Sequence, residues 1–124
     1  MRLLRNSLTA SLVLILLGCA TTRLYDGPPK PANEVVEITG MSGLDPLGQF
    51  TSALVCAIDD KKIEGCAAHV EILPGFHKLK TVTKSYGITE REVTIDGDFK
   101  AGEKYLLGIT MHNGSKMPAL WKSR

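Results

Sequence analysis

From Glu34 onward the chain falls into short runs of β-branched and other apolar residues, punctuated by turn residues. The runs predict strands over Glu34–Thr39, Phe50–Ile58, Ala68–Leu73, Phe76–Thr83, Thr89–Ile95 (with an extension toward Phe99), Lys104–His112 and Met117–Lys122. Between them lie a Gly- and Pro-containing loop, Gly40–Gly48, and a charged turn region, Asp59–Gly65. Pro74-Gly75 reads as a tight hairpin turn that sets Ile72 opposite His77 and Glu71 opposite Lys78. Asn113-Gly114 is the clearest hairpin signal, because both residues tolerate positive φ. No long amphipathic helical pattern competes. About seven short strands at this spacing predict an all-β fold, a small antiparallel β-sandwich. A barrel has the same periodicity.

The residues ahead of Glu34 have a different character. Arg2 and Arg5 make a short basic start, Leu8–Leu17 is an almost purely apolar run, and Gly18 precedes Cys19. This is the layout of a secretory signal peptide. The apolar run falls well short of the roughly 18–20 residues that a spanning helix needs. Residues 20–33, ATTRLYDGPPKPAN, are small, polar and Pro-rich. They predict an extended spacer, in which only Leu24 and Tyr25 suit a core. The expected organisation is a leader over 1–18, a tether over 19–33 and a folded domain over 34–124.

Leu16-Leu17-Gly18-Cys19 resembles the lipobox of bacterial lipoprotein precursors. In that family the cysteine thiol takes a diacylglycerol thioether, a peptidase cuts before it, and the new amine is usually acylated, palmitate being a typical chain. The chemistry needs a thiol nucleophile and a small residue ahead of it, here Cys19 and Gly18. The alternative is an ordinary secreted chain in which Cys19 is incidental. Ala20 follows the cysteine. In the family, Asp at that place retains the protein in the inner membrane, so the resemblance implies the periplasmic side of the outer membrane. Two or three acyl chains on one residue would hold the protein where one chain alone is marginal.

Charge adds little once the leader is set aside. Removing Arg2 and Arg5 from the 15 basic residues leaves 13, equal to the 13 acidic ones. The lysines are interleaved with Asp and Glu, which fits a mixed solvated surface and no nucleic-acid partner. With few aromatic residues, the core must rest on Val, Ile and Leu. In an exported chain, Cys56 and Cys66 read as one disulfide spanning the Asp59–Gly65 turn, with two buried thiols as the alternative.

No residue pattern announces catalysis. His69, His77 and His112 are the only histidines, and on the hairpin register His69 lies opposite Lys80, away from His77. That is poor geometry for two ligands of one metal. The reading for His77 is a ring packed on the sheet and hydrogen-bonded to backbone. There is no Gly-x-Ser-x-Gly motif and no P-loop. Asp59-Asp60 and Asp96-Gly97-Asp98 are explained by turn chemistry, and the latter lacks the further oxygen ligands of a calcium loop. No metal site and no cofactor are expected.

Tyr25-Asp26-Gly27-Pro28, Leu73-Pro74-Gly75-Phe76-His77 and Ala101-Gly102-Glu103-Lys104-Tyr105 together resemble a group of small Gram-negative outer-membrane lipoproteins with a Leu-Pro-Gly-x-His hairpin. The last two motifs are also similar to PEGA-type modules and their prealbumin-like sandwiches. The resemblance implies a fold and a location but no activity. The Gly40–Gly48 loop and the Cys56/Cys66 pair stand outside its pattern. The expectation is a lipid-anchored, non-enzymatic module that braces or binds an envelope protein or cell-wall component. The alternative is a ligand binder or an inhibitor of a lysozyme-type hydrolase, presenting the Gly40–Gly48 loop.

Overall fold

A computed structural model describes residues 21–45 and 47–123, so Cys19 and the expected leader lie outside the described residues. Ten strands follow in order: β1 (Thr22–Arg23), β2 (Val36–Gly40), β3 (Ser42–Leu44), β4 (Phe50–Ile58), β5 (Lys61–Ala67), β6 (His69–Ile72), β7 (Gly75–Ser85), β8 (Ile88–Phe99), β9 (Lys104–His112) and β10 (Ser115–Ser123). One short 3₁₀ turn, Ala32–Glu34, precedes β2. The first sheet has the order β1-β6-β2-β9-β10, and the second β3-β4-β7-β8 with β5 also paired to β4. The chain is an all-β sandwich, as the sequence predicts.

β4 shows how the alternation becomes a sheet face. Thr51, Ala53, Val55 and Ala57 are buried while Ser52, Leu54 and Cys56 between them are partly exposed. Its inward residues meet Val36 and Ile38 of β2, Val70 and Ile72 of β6, Leu79 of β7 and Leu107 of β9 in one cluster. As expected, Val, Ile and Leu dominate. Among the described residues Phe99 is the buried aromatic, packed edge-on against Tyr105 at 5.0 Å between ring centres.

Three strands exceed the seven expected, and each has a physical reason. β5 occupies most of the charged region expected as a turn. The turn itself is only Asp59 and Asp60, both at positive φ, as a two-residue hairpin requires. The lysines after it suit an edge strand facing water. β3 lies inside the expected Gly40–Gly48 loop and pairs with the start of β4. β1 lies in the expected tether: Thr22 and Arg23 pair with Val70 and Glu71, and Leu24 packs against the core. The Pro-rich run comes after β1.

Pro74-Gly75 is not a hairpin turn. β6 pairs with β1 and β2, whereas β7 pairs with β4 and β8, so the segment carries the chain from one sheet to the other. The expected pairing of Ile72 with His77 is replaced by Ile72 with Val36 and His77 with Gly97. A crossover buries both strands on one core, which a two-stranded ribbon cannot do.

Candidate functional site

Cys56 and Cys66 are joined in a disulfide that links β4 to β5 ten residues on. The bridge sits where the β4–β5 and β4–β7 registers shift, between Val55 and Ala57. Beside it, on the outer face of the second sheet, runs a groove of about 490 Å³. Val82 and the two cysteines contribute to its lining, and Lys62, Lys78, Lys80 and Lys84 outnumber Asp60 and Glu92 along it. Lys80 and Glu92 approach to 3.7 Å, a solvent-screened pair of little energetic weight. The groove is therefore a shallow, net-positive face.

At one end of the sandwich His77 and Asp59 form a corner beside a second groove of about 350 Å³, lined partly by Leu24, Tyr25 and Asp26. His77 Nδ1 lies 2.5 Å from Asp59 Oδ2, and Nε2 lies 2.7 Å from the Leu73 carbonyl. Asp59 Oδ1 accepts the Lys78 amide at 2.8 Å. Burial pushes the Asp59 carboxyl up, but the Lys78 amide and His77 outweigh it and hold it below the usual carboxylate range. Both ring nitrogens are engaged within the fold, so neither is turned toward a bound nucleophile. His77 ties the crossover after β6 to the turn after β4. This matches the expected backbone-bonded ring and adds Asp59, which the sequence reading assigned to turn chemistry alone. His69 is elsewhere, bonded through Nδ1 to Thr39 Oγ1 at 2.8 Å. Among the described residues no three His, Cys, Asp or Glu side chains cluster as metal ligands, and no helix is long and apolar enough to cross a membrane.

The opposite end carries a cluster that the sequence reading missed. Lys116 of β10 and Asp45, at the turn between β3 and β4, pair at 2.5 Å with side chains only 4 % and 0 % exposed. Lys116 Nζ also donates to Gln49 Oε1 at 2.5 Å and Ser85 Oγ at 3.2 Å, and Glu90 lies 3.6 Å away. Asp45 Oδ1 accepts the amides of Leu47 and Gln49, and Oδ2 accepts the Thr51 hydroxyl. Burial pushes the Asp45 carboxyl up, yet these donors, Lys116 foremost, hold it well below the usual carboxylate range. The Asp45 contact raises Lys116 above the ordinary ammonium value against the opposing effect of burial. The one available signal was phase: Lys116, Pro118 and Leu120 share the inward side of β10, so a lysine falls where an apolar residue belongs.

The same end exposes apolar side chains. Leu44 pairs with Phe50, Thr51 with Ser85, and Ser85 with Ile88, while the Tyr86 amide donates to the Phe50 carbonyl. Leu44 is 77 % exposed, Leu47 64 %, Phe50 48 %, and Tyr86 and Ile88 71 % each. Tyr86 sits at φ 50°, unusual for a bulky residue, in a two-residue hairpin with Gly87.

Comparisons with protein-family models, with curated proteins and with solved structures found no match to this chain.

Proposed function

We propose that this chain is an envelope lipoprotein, anchored through acylated Cys19 to the periplasmic side of the outer membrane. In this reading its sandwich is a non-enzymatic module that binds or braces another envelope component. The observation that carries the reading is the coincidence of a lipobox-like Leu16-Leu17-Gly18-Cys19 with a Cys56–Cys66 disulfide. Both call for export into an oxidising space, and the pairing leaves Cys19 as the one cysteine to take a lipid. The locked ring of His77 supports a structural role for the histidine most suggestive of chemistry. The net-positive groove around Lys80 is the face offered to a partner, and its charge suits an acidic one.

Expression in a Gram-negative host with an alkyne-bearing palmitate tests the anchor. The wild type is expected to incorporate label, and Cys19→Ser is expected to remain as unlabelled precursor. A photo-crosslinker placed at Thr94, in the groove, is expected to give one specific adduct in intact cells that is lost on Lys80→Glu. Adducts with bulk lipid alone would contradict the partner role.

A further inference from the structure

Pairing of β1 with β6 leaves only a short stretch of chain between Cys19 and the folded domain. The segment expected to lift the domain off the membrane is not a free spacer. Thr22 and Arg23 are paired to β6, and the prolines follow them. The leash from Cys19 to Thr22 is three residues, which span at most about 10 Å.

Strand direction sets which end that leash leaves from. β1 runs parallel to β6 and therefore opposite to β2. Followed back from Arg23 to Thr22, the chain heads the way β2 runs, toward Gly40, Met41 and β3. Thr22 is level with Val70, and Val70 with Ile38. Two residues later Gly40 reaches Ala53, whose amide donates to the Met41 carbonyl. Phe50 lies three residues beyond Ala53. The apolar end thus projects about 17 Å past Thr22 by strand rise. With the strands standing upright on the surface that holds Cys19, a leash of about 10 Å brings that end down to it.

The chemistry of the end agrees with its position. Leu44, Leu47, Phe50, Tyr86 and Ile88 are large and exposed, and a tyrosine at such a rim suits the boundary between headgroups and acyl chains. Both carboxylates in these segments, Asp45 and Glu90, are engaged by Lys116. The remaining charges from 84 to 91 are the cations Lys84 and Arg91, which suits anionic headgroups, and Glu92 just beyond them lies beside Lys80. Asp45 bonds to the amides of Leu47 and Gln49, so the apolar turn is held from below.

We propose that this rim is a membrane-contact surface: resting on the anchored reading, it seats Leu44, Leu47, Phe50, Tyr86 and Ile88 in the interface of the bilayer that holds Cys19. The lipid and the rim form two attachments, which fix the orientation of the domain and turn the lysine groove sideways, toward neighbours. Two weak signals together anchor better than one.

The test uses the full-length, lipidated protein in phosphatidylethanolamine–phosphatidylglycerol vesicles with brominated acyl chains. The doubly substituted Leu47→Trp, Trp121→Phe protein is compared with Phe76→Trp, Trp121→Phe, whose indole lies at the other end of β7, away from the rim. The indole at position 47 is expected to be blue-shifted and quenched several-fold more than the one at position 76. An unshifted, unquenched indole in a protein whose Cys19 peptide carries the acyl mass overturns the rim and leaves the anchor standing. A Cys19 peptide without acyl mass overturns both. A blue shift that persists in lipid-free detergent and grows with protein concentration assigns the rim to a second copy and also overturns the proposal.

Discussion

Lys116 reaches across the sandwich to Asp45, joining β10 of one sheet to the turn that opens β4 of the other, with both charges out of water. Such a pair is costly to assemble and more costly to break, because removing one partner strands the other charge. Lys116→Met is expected to lower the Tm by on the order of ten degrees. Adding Asp45→Asn in the same chain should recover much of that loss. Thermal melts followed by circular dichroism check both, and a single variant no worse than the double would contradict the pairing.

The same pair sets a pH dependence. Asp45 is depressed in the fold, so its contribution is full above the unfolded carboxylate value of about 3.9 and is lost as pH falls toward its folded value. Lys116 is raised, so its contribution is full below about 10.4 and is lost as pH rises through its folded value. Urea titrations should show the stability gap between wild type and Asp45→Asn constant from about pH 5 to 10 and shrinking below about pH 4.

Much of the fold was legible from alternation. β4 and β9 coincide with their expected spans, and the Asn113-Gly114 turn stands where its φ tolerance places it. What escaped was short, long-range or, like β5, so charged that it reads as a turn. β1 and β3 are two and three residues long, too short to show a period. Pro74-Gly75 carries the signature of any tight turn, and whether the next strand returns to the same sheet depends on contacts far along the chain. The Lys116–Asp45 pair spans the two sheets, and only the phase of Lys116 on β10 hinted at it. The disulfide was legible because, once export is expected, counting cysteines needs no geometry.

Removing the bridge with Cys56→Ala and Cys66→Ala is expected to cost about 2–3 kcal/mol, the loop-closure value for about ten residues. Denaturation of wild type in reductant should give the same shift. An unchanged midpoint would show that the bridge does not constrain the unfolded chain.

Asp59→Ala is expected to act locally. The Lys78 amide loses its carboxylate partner and His77 one of its two acceptors, so exchange at Lys78 should rise by roughly tenfold while core amides of β9 hold. Uniform acceleration would mean that this corner supports the whole fold.

Gly40 stands where β2 crosses toward β3, and a Cβ there would overlap the Ala53 backbone carbonyl. Backbone cannot swing aside as a side chain does, so Gly40→Ala is expected to cost at least about 1–3 kcal/mol. A urea titration checks this, and a neutral result would displace β3 from its assigned path.

The proposed anchor and the proposed rim both depend on Cys19. Mass spectrometry of the mature N-terminus from a Gram-negative host is expected to find Cys19 as the first residue, carrying a diacylglyceryl group and an acylated amine. An unmodified N-terminus beginning at any other residue would contradict it.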